Sequence, residues 1–110
     1  MPGKSSRDKG GRVERELVQK LRDAGFSDTF RVPLSGAAEG FKGDININIM
    51  GIEETLVAEV KARKDGTGFK QLEVWKGDHD YLFLKRNNSD PMVTMDWDEF
   101  VRLLALAYLP

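Results

Sequence analysis

A chain of 110 residues, 40% hydrophobic and 32% charged, suits one soluble domain, and the lack of cysteine excludes a disulfide framework or a thiolate metal site. No apolar run approaches the roughly 18 residues of a membrane-spanning helix, and the charged, Gly-rich amino terminus has no apolar signal-peptide core, so a cytoplasmic protein is expected. The net charge of −1 hides an uneven spread: Lys4, Arg7, Lys9, Arg12 and Arg15 crowd the start, Lys61, Arg63, Lys64, Lys70 and Lys76 form a second basic cluster, and Asp78 onward is acidic. Such a chain can offer a polyanion one face, although charge runs are as readily plain solvated surface.

Residues 1–9 read as a flexible basic arm, and residues 10–110 as a single domain. Gly10 and Gly11 precede a helix over Arg12–Ala24, stopped by Gly25; Val13, Leu17, Val18, Leu21 and Ala24 recur at helical spacing. Thr29–Pro33 is a short strand and Ser35–Gly43 a loop of small residues. Asp44–Ile49 alternates, with Ile45, Ile47 and Ile49 opposite Asp44, Asn46 and Asn48. A turn at Met50–Glu54 leads to a second strand, Thr55–Arg63, in which Val57, Glu59, Lys61 and Arg63 share a face. A turn at Asp65–Gly68 and a helix at Phe69–Lys76 follow, with Phe69, Leu72 and Trp75 on one side. The lone histidine, His79, falls in a turn and reads as surface. Strands at Tyr81–Lys85 and Met92–Met95 flank the Asn87–Pro91 turn. Asp96 starts a last helix, with Glu99 placed to complete a capping box, and its end, Leu103–Leu109, is strongly apolar.

Three features break this pattern. At about 100° per residue, Glu14 falls inside the apolar arc of the first helix, between Leu17 and Val18. A carboxylate on a core face needs a partner, unless a frayed first turn lets it reach water. Next, a hairpin symmetric about Gly51–Ile52 sets Asp44 directly opposite Glu59, with Cβ atoms about 5 Å apart. Two facing carboxylates repel unless a cation lies between them, and Mg²⁺ takes one or two carboxylates plus waters and phosphate oxygens. A register one residue off would put them on opposite faces. Lastly, Lys61 follows Glu59 on the same face, roughly 6–7 Å along the strand. Beside a metal it can orient a water or offset charge building on a phosphate; on a half-exposed sheet it would simply snorkel to water.

Asp44 followed by Glu59-Val60-Lys61 resembles the motif of the PD-(D/E)XK nuclease superfamily. The wider series, Lys9-Gly10, Glu14-Arg15-Glu16-Leu17, Gly25-Phe26, Arg31-Val32-Pro33, Ser35-Gly36 and Asp44-Ile45, is similar to archaeal-type Holliday junction resolvases, including phage-carried versions. The likeness covers residues 9–64 well and the remainder in element order; Glu39 in the Ala37–Lys42 segment is a departure from the pattern.

The resemblance implies an α/β, restriction-endonuclease-like single domain with a central mixed β-sheet flanked by helices, in the order α-β-β-β-α-β-β-α. It places metal-binding carboxylates at Glu14, Asp44 and Glu59, a catalytic lysine at Lys61 and an active-site serine at Ser35. It also implies a phosphate contact at Arg31, a basic DNA contact at Arg15 and an accessory glutamine at Gln71. Lys9, Arg12, Arg63, Lys64 and Lys70 are expected to add salt-sensitive affinity for the DNA backbone. The expected activity is Mg²⁺-dependent cleavage (Mn²⁺ substituting) of branched, four-way DNA by a homodimer, in the host cytoplasm if the source is a phage. Alternatives are a nuclease of the same superfamily for flapped, nicked or duplex DNA, and a non-catalytic DNA-binding module of the same fold.

Overall fold

The computed structural model describes residues 2–32 and 44–110, with side chains from residue 11 onward. They form α1 (Pro2–Asp23), β1 (Thr29–Arg31), β2 (Ile45–Ile47), β3 (Leu56–Ala58), α2 (Phe69–Lys76), β4 (Leu82–Leu84), β5 (Met92–Thr94) and α3 (Trp97–Tyr108). The order α-β-β-β-α-β-β-α is the one expected, in a small α/β chain consistent with a restriction-endonuclease-like fold. The described strands make two antiparallel sheets, β1-β2-β3 and β4-β5, rather than one mixed sheet. Each sheet pairs strands that are neighbours in the chain. The chain groups into two compact units, Met1–Ala62 and Arg63–Pro110.

In the first unit, α1 is a 22-residue helix that begins at Pro2, so the segment expected as a flexible arm continues the helix. Proline at the first helical position has its φ preset and lacks a donor that would be orphaned there anyway. Gly10 and Gly11 each weaken the helix by about 1 kcal/mol relative to alanine, too little to break it. The other end follows the sequence closely. Gly25 takes φ 112°, its N–H donates to Arg22 O at 3.1 Å, and the Phe26 N–H donates to Leu21 O at 3.0 Å. This pair of bonds is a Schellman cap, and Phe26 and Leu21, which it brings together, are both buried.

Val18, Leu21, Phe26, Val32, Ile45, Ile47 and Ile49 form the buried core of this unit, with α1 packed on β1. β2 lies between β1 and β3, and it is buried on both of its faces: Asp44 and Asn46, on the face opposite the isoleucines, are buried along with them. β1 meets β2 through Thr29↔Ile47, Phe30↔Asn46 and Arg31↔Ile45. β2 meets β3 through Ile45↔Ala58, Asn46↔Val57 and Ile47↔Leu56, the register of a hairpin symmetric about Gly51–Ile52. Gly51, at φ 86°, occupies the turn position that requires a positive φ, and the Ile52 N–H closes the turn on Ile49 O at 3.0 Å.

In the second unit, β4 and β5 pair as Leu82↔Thr94, Phe83↔Val93 and Leu84↔Met92, across a turn in which Asn88 takes φ 60°. Asp96 is the N-cap of α3, but its side chain makes no capping bond, so the expected box with Glu99 does not form. Both acids are engaged elsewhere. Asp96 Oδ2 lies 3.1 Å from Lys76 Nζ. Glu99 accepts two bonds from Arg102, at 2.7 and 2.9 Å, and one from the Tyr81 hydroxyl. Lys76, counted in a basic cluster from sequence, is buried; its ammonium also donates to Gly77 O and His79 O. His79 lies exposed in its turn, its Nδ1 on Lys76 O at 2.8 Å.

Two predictions follow from these caps and clusters. Gly25→Ala puts a Cβ into a left-handed conformation and should cost about 1 kcal/mol, seen as a lower urea midpoint at unchanged slope. Arg102 and Tyr81 hold the Glu99 carboxyl down at about 2. Because that folded value lies below the ordinary carboxylate value of about 4.3, its contribution is complete above the ordinary range and is lost as pH falls towards 2. The thermal midpoint of the wild type should therefore fall more steeply over that acid window than that of Glu99→Gln; equal slopes would contradict the assignment.

Candidate active site

Asp44 stands one residue before β2 and is 8% exposed. Its backbone ties three strands together: its C=O accepts the Val32 N–H at 2.8 Å, and its N–H donates to Ala58 O at 2.9 Å. Its side chain continues the link, because Oδ2 accepts the Val60 N–H at 2.7 Å. Asp44 thus bonds to both residues that flank Glu59 in the chain. One carboxylate oxygen is thereby fixed on the backbone of the neighbouring strand.

Beyond β3 the alternation persists: Leu56, Ala58, Val60 and Ala62 are half-buried, whereas Val57, Glu59, Lys61 and Arg63 are exposed. Glu59 and Lys61 therefore project from the same side, and their charged ends lie 3.5 Å apart. Exposed as both are, this pair adds little stability; its consequence is that a cation and a carboxylate are held next to Asp44's anchor point.

Glu14 is 6% exposed, on the core face of α1. The partner that its burial demands is Arg31 on β1, with Nε 3.5 Å from Glu14 Oε1. Arg31 is paired in register with Ile45, the residue after Asp44. The carboxylates of Glu14 and Asp44 are thus connected through Arg31 and the β1–β2 ladder. Losing Arg31 would leave the buried Glu14 carboxylate without this partner, which is destabilising.

Three of the expected groups, Asp44, Glu59 and Lys61, are brought together along the edge where β2 meets the extension of β3. Glu14 is held by Arg31 instead, and among the described residues no three His, Cys, Asp or Glu side chains are grouped to hold a metal ion. Carboxylates are donors that suit a hard cation: Mg²⁺ is commonly bound by one or two of them with waters and substrate oxygens completing the shell.

Ser35 lies outside the described residues, and so does Glu39. Lys9 is on α1, its side chain outside the described set, and Arg12 and Arg15 are exposed on the same helix. Arg63, Lys64, Lys70 and Gln71 are exposed in the second unit, the last two on α2. The sequence reading missed Gln19 and Arg22. They follow Arg15 on α1 at four- and seven-residue steps, and with Val18 and Arg31 these three line a concavity of about 330 Å³. That spacing from Arg15 was the available signal, and it lay outside the apolar arc to which the helix was read.

Neither a curated protein nor a solved structure gives a significant match to this chain. Among protein families, residues 5–103 match the archaeal Holliday junction resolvases (Hjc). That match spans both compact units and nearly the whole chain, and it shows that the chain belongs to the archaeal Holliday junction resolvase family of PD-(D/E)XK-type endonucleases.

Proposed function

We propose that this protein resolves four-way DNA junctions by divalent-metal-dependent phosphodiester hydrolysis. The observation that carries the reading is the anchoring of Asp44 between the neighbours of Glu59, with Lys61 ion-paired to Glu59 on the same strand. A module that merely bound DNA would gain nothing from carboxylates turned towards phosphate.

Asp44 and Glu59 are the residues to hold Mg²⁺ or Mn²⁺, with Glu14 as the third candidate. Bound there, the ion would polarise the scissile phosphate and lower the pKa of a water. Asp44 is preorganised for this, since the Val60 N–H fixes one of its oxygens on the segment that carries Glu59. Lys61 orients the attacking water or offsets charge developing on the phosphate. Arg31 contributes in two ways: its Nε neutralises Glu14, and the rest of its guanidinium fork can take a phosphate oxygen. Ser35 is proposed to share that neighbouring phosphate. Lys9, Arg12, Arg15, Arg63, Lys64 and Lys70 supply backbone affinity, and Gln71 is an accessory contact. None of these forms an obvious base-reading element, which favours recognition of DNA shape.

Cutting two opposed strands calls for two sites related by a two-fold axis, hence a homodimer. Support comes from the apolar side chains left on the surface of the second unit: Val74 is 73%, Trp75 58% and Leu106 71% exposed. Among the described residues no helix is long and apolar enough to cross a membrane, so these side chains are not explained by a membrane span.

With Mg²⁺ present, Asp44→Asn and Lys61→Ala should each lose about 10²-fold or more of junction cleavage while still binding the junction in a gel-shift assay. Wild-type cleavage by either variant would mean that the site is misassigned. Matched flap, nicked and linear substrates decide the specificity: faster cutting of any of these than of the four-way junction would replace the junction reading. In light scattering at micromolar concentration the mass should be twice that of the chain, and a monomer would overturn the dimer.

A further inference from the structure

The concavity on α1 lies on the same unit as Asp44, Glu59 and Lys61, and its shape is set by arginines. Arg15, Gln19 and Arg22 stand in one row along the helix, and Arg31 reaches it from β1. Three guanidinium groups thus line one open space. Standing against them are the buried Glu14, on Arg31, and Asp23, which accepts a bond from Gln19 Nε2 at 2.8 Å.

The existing bonds hold these side chains without using up their donors. Arg22 donates through Nε to Thr29 O at 2.9 Å, and Arg31 through Nε to Glu14. In both cases the bond runs through Nε, away from the terminal amino groups. A guanidinium fixed at Nε has lost part of its freedom in advance, so less is lost when its fork closes on an anion.

Gly11 shows how closely two of them converge. A Cβ there would lie 3.2 Å from Arg31 Nη2 and 3.3 Å from Arg15 Nη1. The tips of both side chains therefore rest over the same stretch of helix backbone, and Gly11 is buried beneath them. Like charges gathered in this way repel, and an anion placed between them removes the cost.

We propose that this concavity binds a backbone phosphate of nucleic acid, with Arg22 and Gln19 as contact residues alongside Arg15 and Arg31. The proposal rests on the reading of the protein as a DNA-acting enzyme and extends it: Arg31 is register-paired with the residue after Asp44, so the phosphate track would run from the active site along α1 towards its carboxyl end. Planar forks with paired N–H donors favour phosphate oxygens over weaker acceptors.

The test measures binding of the full-length protein to a four-way DNA junction, with EDTA present to prevent cutting, between about 50 and 200 mM salt. Arg22→Gln should weaken binding several-fold and reduce the slope of log K against log salt by about 0.7–0.9, the loss of one phosphate contact. Arg22→Lys should restore the slope and only part of the affinity. Because Arg22 also bonds to Thr29, Gln19→Glu serves as the second probe: it adds a carboxylate to the concavity at an exposed position, should weaken binding several-fold and should lower the thermal midpoint only slightly, through loss of its bond to Asp23. Wild-type affinity and slope in both Arg22→Gln and Gln19→Glu would overturn the phosphate site while leaving the nuclease reading intact. Failure of the wild-type protein itself to bind DNA would overturn the nuclease reading and this inference with it.

Discussion

The first unit depends on how Asp44 is held. Its main chain bonds to Val32 on one side and Ala58 on the other, and its carboxylate takes the Val60 N–H. A buried carboxylate is costly unless its oxygens are satisfied. Here the satisfying donor is the backbone of the strand extension that carries Glu59 and Lys61, so the interaction that makes the burial tolerable is the same one that aligns the candidate site. The strands themselves are only three residues each, and short ladders specify position weakly. A side-chain bond placed one residue beyond the ladder fixes what the ladder alone leaves loose.

Glu14 and Arg31 extend this link to the helix. The acid lies on the buried face of α1, and the base reaches it from β1. The buried acid needs the base as a partner, so the ion pair ties the rotation of α1 to the sheet. The same pairing sets a condition on Glu14 as a metal ligand, since its charge is already balanced by Arg31. Gly11 has a part in this arrangement, because the helix lacks a Cβ just where the Arg15 and Arg31 guanidiniums lie. A local weakness of the helix leaves room for the charged groups around it.

In the second unit, charges that look like surface are spent on structure. Lys76 is buried among Gly77 O, His79 O and Asp96, and joins the end of α2 to the start of α3. Glu99 joins α3 to the residue before β4 through Tyr81 and is held by Arg102 one turn on. Both networks draw acids away from the helix cap to which local spacing would assign them. A cap contributes only about 1 kcal/mol, little enough for bonds to a cation or hydroxyl to compete with it.

Much of this was legible in the chain alone, because it rests on local rules. The period of the apolar residues set the helix face and marked Glu14 as misplaced. The alternation of Asp44–Ile49 and Thr55–Arg63, with Gly51 midway, fixed the hairpin register, since a slip of one residue would turn every isoleucine to the wrong face. Gly25 determined where α1 stops. What the sequence could not settle is which charges find each other across distance: Arg31 for Glu14, the Val60 N–H for Asp44, Lys76 for Asp96, and Arg15, Arg22 and Arg31 around one concavity. Nor did spacing reveal that β2 is buried on both faces, or that α1 runs back through its two glycines to Pro2. Periodicity reports which way a side chain points. Only the folded chain decides what stands opposite it, because burial removes water as the competing partner and leaves each polar group to the neighbour that the topology supplies.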